Sequence, residues 1–325
     1  GEIMSTFLYI IKRFIQAVPI LFIISIIAFA LLKCTPIDPL ASMRANPSVS
    51  RSAIKAEEER LGLNKPAPVQ YFYWAGNALQ GNLGISSTGA PVIERLTAHA
   101  GNTLMLNILV ILLTWTIALP SGIYAAVHRA QFIDKVFGIL SAIGMSMPAF
   151  LLAFLLMVLA LVTGLLPIGG LTSADFGELS FFDQVIDIAH HLIIPVTVLT
   201  CISLAGIQRQ VRSNLLDVLR ADYVRTARAK GLPENRVIYK HALRNAINPL
   251  ITILGFEFAG LLSGAALTEM VLSYPGLGKL TLDAMLTKDM NMVMASIMMG
   301  AIMLVTGNLF ADVLLKFTDP RISHD

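Results

Sequence analysis

Apolar residues fall in long runs along this chain, and Gly, Pro, Asn and charged residues gather in the segments between them. The first run, 14–32, is preceded by Lys12 and Arg13. At 1.5 Å per residue, its nineteen residues span the roughly 30 Å hydrocarbon core of a bilayer. Ala28-Phe29-Ala30 also resembles a small-residue cleavage site, but the run stays apolar through Leu31 and Leu32, which favours a retained helix over a cleaved leader. Met4 reads as the natural start, with residues 1–3 as a remnant ahead of it. Further runs follow at about 103–127, 136–163, 189–207, 246–272 and 292–315, which predicts six transmembrane helices in all. Pro120, Pro148 and Pro195 interrupt them, either as packing kinks or as bends around a pathway. Residues 33–101 form a polar excursion with a short charged helix at about Ala53 to Leu61, long enough to be a small structured cap. The chain therefore divides into 1–101, the first helix with its loop, and 102–325, a five-helix core.

Composition fixes the class. Hydrophobic residues make up 55% and charged residues 14% of the 325, and the mean hydropathy is +0.71, whereas soluble domains carry about 25% charged residues. The fold class is an all-α integral membrane protein. A net charge of +3 is too small to suggest nucleic acid. Cys34 and Cys201 lie far apart and form no metal-ligand spacing or disulfide framework, so both read as small residues.

One polar stretch between apolar runs, at about 209–245, is densely basic. A helix is predicted from about Val211 to Lys230, with Leu215, Leu216, Leu219 and Tyr223 on one face and Asp217, Arg225 and Arg228 on the other; Arg212 fits neither. Gly231 stops it, and Arg228 and Lys230 occupy the last turn, where cations favour the dipole. Pro233 starts a second helix. Along it Arg236, Lys240 and Arg244 share one face, while Ile238 and Ala242 on the other side are available for packing. Helix, glycine break and basic helix make a compact knuckle, unless the segment is only a solvated loop.

The connections on one side carry Lys12, Arg13, Arg129, Lys135, nine cations between 209 and 245, and Lys316 and Arg321. The short connections on the other side carry only Lys279 and Lys288. Long loops are discounted in such a comparison, so both termini and the knuckle are expected to be cytoplasmic.

Within the fifth run, Gly260-x-x-x-Gly264 lets helices approach closely, against a partner or beside a pathway. Glu257 lies well inside it and Glu269 near its outer end. A mid-membrane carboxylate costs on the order of 2.5–3.5 kcal/mol, so Glu257 must face protein or water or be protonated, as a pathway group or a structural one. His190 and His191 read as interfacial rather than as a metal site. Residues 273–291, with Tyr274, Pro275, Gly276 and Gly278 followed by a short amphipathic helix, read as an outer lid or as a plain interfacial connection. The chain has no P-loop: Gly278-Lys279 has Ser273 where the first glycine would stand and Leu280 where Ser or Thr would follow. It is therefore not expected to be an enzyme.

The knuckle sequence Asp222-Tyr223-Val224-Arg225-Thr226-Ala227-Arg228-Ala229-Lys230-Gly231, followed by His241-Ala242-Leu243-Arg244-Asn245-Ala246, resembles the coupling loop of permease subunits of ABC importers for dipeptides, oligopeptides and nickel. So do Leu61-Gly62-Leu63-Asn64-Lys65-Pro66, Gln70-Tyr71, Trp74, Gly84-Ile85-Ser86 and Pro91-Val92, the segment 273–278, and Asp319-Pro320-Arg321-Ile322. Tyr274 stands where the family usually has Trp. Two departures from the general importer pattern fit this subfamily: Arg225-Thr226-Ala227 replaces an opening Glu-Ala-Ala, and Arg244 replaces a proline thirteen residues after the glycine. The resemblance implies a type I importer fold in the bacterial inner membrane. It also implies a homologous second permease, two cytoplasmic ABC ATPase subunits or domains that supply ATP and Mg, and an extracytoplasmic binding protein. No cofactor is implied in this chain. It assigns ATPase coupling to Asp222, Tyr223, Arg225, Thr226, Ala227, Lys230, Gly231 and Arg244, and peptides as cargo, with nickel or another metal chelate as the alternative. A self-contained channel or secondary transporter would instead show inverted repeats and clustered mid-membrane charges, which this sequence does not display.

Overall fold

The computed structural model describes residues 2–34, 40–60 and 62–318; the side-chain surroundings of 2–10, 41–42, 57, 60, 255–256, 258–264 and 314–318 lie outside that description. Among the described residues the fold is helical, with one isolated β-bridge, Ile85 to Pro91. The helices are α1 (Glu2–Cys34), α2 (Ala41–Ala45), α3 (Arg51–Arg60), α4 (Ala67–Leu79), α5 (Val92–Val127), α6 (Phe132–Ser146), α7 (Ala149–Thr163), α8 (Phe181–Leu219), α9 (Asp222–Ala229), α10 (Glu234–Arg236), α11 (Leu243–Val271), α12 (Leu277–Leu286) and α13 (Met290–Thr318). A π-helical turn, Val237–Ala242, joins α10 to α11.

Among the described residues, Ile11–Cys34, Val92–Val127, Phe181–Leu219 and Met290–Val313 are each long and apolar enough to cross a membrane, and α6 with α7 qualifies as one broken span. The remaining expected span coincides with α11, part of which lies outside the described surroundings. The run 136–163 is not one kinked helix, because α6 and α7 meet at 97°. Met147 sits before Pro148, and a residue before proline is pushed out of the helical region; its φ and ψ of −88° and 118° are extended. Pro120 and Pro195, by contrast, sit inside unbroken helices.

Two compact units can be distinguished. One is built chiefly on Leu104–Tyr274 and the other on Ile11–Thr103 with Pro275–Val305. A division at 101/102 follows the chain, but the second unit crosses it because Val92 and Leu96 share a core with Leu277, Leu280, Met292 and Val293. In the first unit, Asn107, Val110, Thr114 and Ala118 form a fully buried stripe at helical spacing on α5. On the apolar α7, Ala153 and Ala160, seven residues apart, are buried, Leu152, Leu156 and Met157 pack half-buried beside them, and Phe150, Phe154, Leu155, Leu159 and Val162 are exposed. Beside α8, Gly144 approaches Ala205 so closely that an added Cβ would lie 2.8 Å from the alanine methyl, and Ser141 donates to Gln208 at 3.1 Å.

Candidate functional site

The knuckle is not the single helix expected over Val211–Lys230. α8 ends at Leu219, Arg220 caps it, Ala221 is extended (φ −67°, ψ 148°), and α9 begins at Asp222. The break has a packing cause. Leu215 and Val224 are nine residues apart, so an unbroken helix would point them in opposite directions. With the break, Leu215, Val224 and Ala227 enter one core together with Val237, Ile238, Ala242, Ala246 and Leu250. Tyr223, expected on the apolar face, is consequently 43% exposed.

Two local devices hold this hairpin of helices. Gly231 has φ +75°, and its N–H donates to Arg228 O at 2.9 Å while the N–H of Leu232 donates to Ala227 O at 3.4 Å. These are the paired bonds of a Schellman motif, and Leu232 completes it by packing on the same core as Ala227. After Pro233 the wider π turn offsets the drift that an α-helix accumulates at four-residue spacing. Ile238, Ala242, Ala246 and Leu250 thus stay on one buried face.

What remains outside is polar. Asp222, Tyr223, Arg225, Thr226, Arg228, Lys230, Arg236, Lys240 and Arg244 are all exposed, and Ala227 is the one predicted coupling residue turned inward. Lys230, Arg236, Lys240 and Arg244 make no ion pair among the described residues, so their charge is presented to solvent. Asp222 lies 3.6 Å from Arg225, its backbone oxygen accepts from Thr226 Oγ1 at 2.9 Å, and Asn245 Nδ2 donates to Tyr223 Oη at 2.8 Å. Arg228 bridges the glycine turn: its Nη2 donates to Glu234 Oε1 at 2.6 Å and its Nε to Oε2 at 3.1 Å. That guanidinium holds the Glu234 carboxyl below its usual range, and the carboxylate in turn raises Arg228.

Sequence reasoning missed the base on which the knuckle stands. Arg212, which fitted neither face, makes a two-point ion pair with Asp134 of α6, Nε to Oδ1 at 2.6 Å and Nη2 to Oδ2 at 2.8 Å. Asp134 also accepts from the N–H of Ala130, whose φ is +65°. Gly122 of α5 lies against α8, where an added Cβ would meet Val211 Cβ at 2.7 Å and Gln208 O at 2.9 Å. Only the mismatch of Arg212 with its helix signalled any of this beforehand.

Along α11, Trp115 Nε1 donates to Glu257 Oε2 at 2.7 Å, while Glu257 Oε1 is buried without a hydrogen-bond partner that meets ordinary geometry. Glu269 is 1% exposed. Gly260 and Gly264 fall within α11, but their surroundings lie outside the described residues. Tyr274 is fully buried, and burial with Glu269 nearby pushes its phenol up. Asn102 Nδ2 donates to Pro275 O at 2.9 Å, and the N–H of Leu277 donates to Thr103 Oγ1 at 2.6 Å. These bonds fasten residues 275–277 to α5 about three turns from its start. Gly276 caps α12, and Gly278 lies in its first turn. His190 and His191 each engage a backbone oxygen, of Leu165 and Asp187.

Two family models together cover nearly the whole chain. Residues 118–324 match the binding-protein-dependent transport system inner membrane component, and residues 5–120 match the N-terminal region of such membrane components. The chain is similar to the oligopeptide transport system permease protein AppB of Bacillus subtilis, at 40% identity over 97% of this chain and 99% of the relative. It is 37% identical to the di/tripeptide transport system permease protein DppB of Pseudomonas aeruginosa and 35% identical to the dipeptide transport system permease protein DppB of Escherichia coli K12. Each of these alignments covers 97% of this chain and 98% of the relative.

Proposed function

The chain belongs to the binding-protein-dependent transport system inner membrane component family, and from that premise we propose that it is the permease subunit of an ATP-driven importer of di- or oligopeptides. It spans the membrane several times and forms the translocation pathway with a homologous permease. Two cytoplasmic ATPase subunits or domains drive it, and an extracytoplasmic binding protein delivers the peptide. Both termini and the knuckle face the cytoplasm.

The observation that carries the mechanism is α9. It is a short helix closed by a left-handed glycine, anchored by Val224 and Ala227 in a core shared with α8 and α11, and exposing Arg225 and Lys230 beside the Arg236-Lys240-Arg244 row of the following turns. Such an element seats in a groove of an ATPase and moves as a rigid body with the spans to which it is fused, so closure of the ATPases becomes a rotation of those spans. Ala227 and Gly231 hold the shape, while Asp222, Tyr223, Arg225, Thr226, Lys230 and Arg244 face the partner. Glu257 is the group we assign to the pathway, where its carboxylate meets the ammonium of a peptide; Glu257→Gln then lowers uptake without lowering assembly. Gly260 and Gly264 pack against the second permease, and the segment from Tyr274 to Gly278 forms a fixed outer lid.

The test is co-purification with candidate ATPase and second-permease subunits, followed by ATPase activity with and without loaded binding protein. Stimulation by a peptide-loaded binding protein supports the reading. Stimulation only by a metal-chelate-loaded one moves the cargo to chelates. Failure of the folded chain to assemble with any ATPase overturns the proposal in favour of a channel or secondary transporter.

A further inference from the structure

The contact between α1 and α4 places part of the polar excursion at the level of the membrane. Tyr71 of α4 is buried, its hydroxyl lies 2.7 Å from Ser25 Oγ, and its ring meets Phe22 and Phe29 edge-on at 6.2 and 5.5 Å. Those three residues belong to the spanning stretch Ile11–Cys34. Helix α4 therefore lies along the last turns of a bilayer-crossing helix. Its outward residues Phe72 and Leu79 are exposed, the character of an interfacial helix.

Between α1, α4, residues 82–84 and the start of α13 is a cavity of about 300 Å³. Phe29, Trp74 and Met294 provide apolar walls, while Lys33, Asn77 and Asn82 provide a cation and amide groups. Among the described residues no carboxylate lines it, and Lys33 is the one cation in that described lining. Below Lys33, Ile23, Ile26 and Ile27 are exposed along one flank of α1. A cation and amides over an aromatic wall, continued by an open apolar track along a spanning helix, match the two halves of a lipid: a phosphodiester above and acyl chains below. A zwitterionic peptide matches less well, because its ammonium would find no acid among the described lining residues.

We propose that this cavity is a binding site for one anionic phospholipid, its phosphate on Lys33 beside Asn77 and Asn82 and its chains along α1. The alternative for Lys33 is an ordinary lysine reaching the interface, which holds no particular lipid.

The experiment is native mass spectrometry of the full chain with its partner subunits, delipidated and then offered phosphatidylglycerol or phosphatidylcholine. Wild type should retain one phosphatidylglycerol in preference to phosphatidylcholine. Lys33→Gln should weaken that retention about fivefold, the value of one cation near an anionic lipid, and Lys33→Arg should restore it. Lys55→Gln, on the exposed face of α3, controls for net charge and should change nothing. Brominated phosphatidylglycerol gives a second readout: it should quench Trp74 in wild type, measured on a Trp115→Phe background, and quench it less in Lys33→Gln. Equal retention by wild type and Lys33→Gln, or no preference for the anionic lipid, overturns the proposal. Displacement of the lipid by a peptide with a free carboxyl terminus, but not by its amide, assigns the cavity to substrate carboxylates and also overturns it.

Discussion

Between α8 and α11 the apolar residues turn in and the charges turn out; around Asp289, in the turn between α12 and α13, the arrangement is reversed. Knuckle ion pairs such as Arg228–Glu234 and Arg225–Asp222 are solvent-exposed and local in sequence. Asp289 is 5% exposed, and its carboxylate accepts from Ser86 Oγ, the Ser87 N–H at 2.7 Å, Ser87 Oγ at 3.2 Å and the Met292 N–H at 3.1 Å. Asn291 Nδ2 adds a bond to Ile85 O at 3.0 Å, so the loop before α5 is latched to the start of α13. A buried charge persists only when its lone pairs are filled, whereas an exposed one persists hydrated and ready for a partner. The first arrangement suits a lock and the second a docking surface.

The largest loss is expected from unlocking the latch. Asp289→Ala strands the Ser86 hydroxyl and the Ser87 N–H and removes the cap from α13, which should cost about 2–4 kcal/mol in total. Thermal unfolding of the full chain in detergent reads this directly, and hydrogen exchange should rise across residues 84–91. A loss below about 0.5 kcal/mol, typical of unconstrained surface sites, would mean that the carboxylate is not a lock.

In the knuckle the corresponding effect is in the backbone. Nothing lies within 4 Å of a Cβ built on Gly231, so a side chain there meets no steric barrier, but φ +75° remains. Gly231→Val should cost about 1–2 kcal/mol through the left-handed conformation alone and uncouple ATP hydrolysis from peptide uptake. Gly231→Asn should do less of both, because asparagine tolerates that region. Normal uptake by the valine variant would remove Gly231 from the mechanism. Smaller again is Tyr223→Phe, which deletes the acceptor of Asn245 Nδ2. At this exposed position the loss should be near the lower end of about 0.5–1.5 kcal/mol. If uptake falls much further than stability, Tyr223 touches the partner rather than bracing α9.

The same contrast explains what could be read from the sequence. Spans, the glycine stop at Gly231, the proline start at Pro233, and the exposed Arg236, Lys240 and Arg244 opposite buried Ile238 and Ala242 all follow from local periodicity and backbone chemistry, and they stood in the pattern. The break at Arg220–Ala221 did not, because it comes from the need of Val224 and Ala227 to reach a core supplied by α11. Nor did the 97° turn at Met147–Pro148, since a proline in an apolar run is equally compatible with a mild kink. Asp289 and Asp134 were invisible for a third reason: their partners, Ser86 and Arg212, lie 203 and 78 positions away. Arg212 alone left a trace, as a cation that matched neither face of its helix.

The smallest effect, and the one that most finely tests whether knuckle charges are there for a partner, belongs to Glu234. Arg228 depresses its folded pKa, so the pair's contribution is present above the ordinary glutamate range and is lost as the pH falls through the depressed folded value. Both side chains are well exposed, at 42% and 53%, so screening should hold the contribution to about 0.2–1 kcal/mol. Glu234→Gln should therefore shift unfolding by at most that amount at neutral pH. The difference from wild type should fade on acidification and shrink in high salt. It should also vanish in a cycle with Arg228→Gln. If Glu234 serves the assembled transporter, the same variant should disturb ATPase association more than folding, because binding desolvates a pair that water now screens. A folding loss well above 1 kcal/mol would instead make Arg228–Glu234 a lock like Asp289, and the distinction between the two connections would fail at its weakest point.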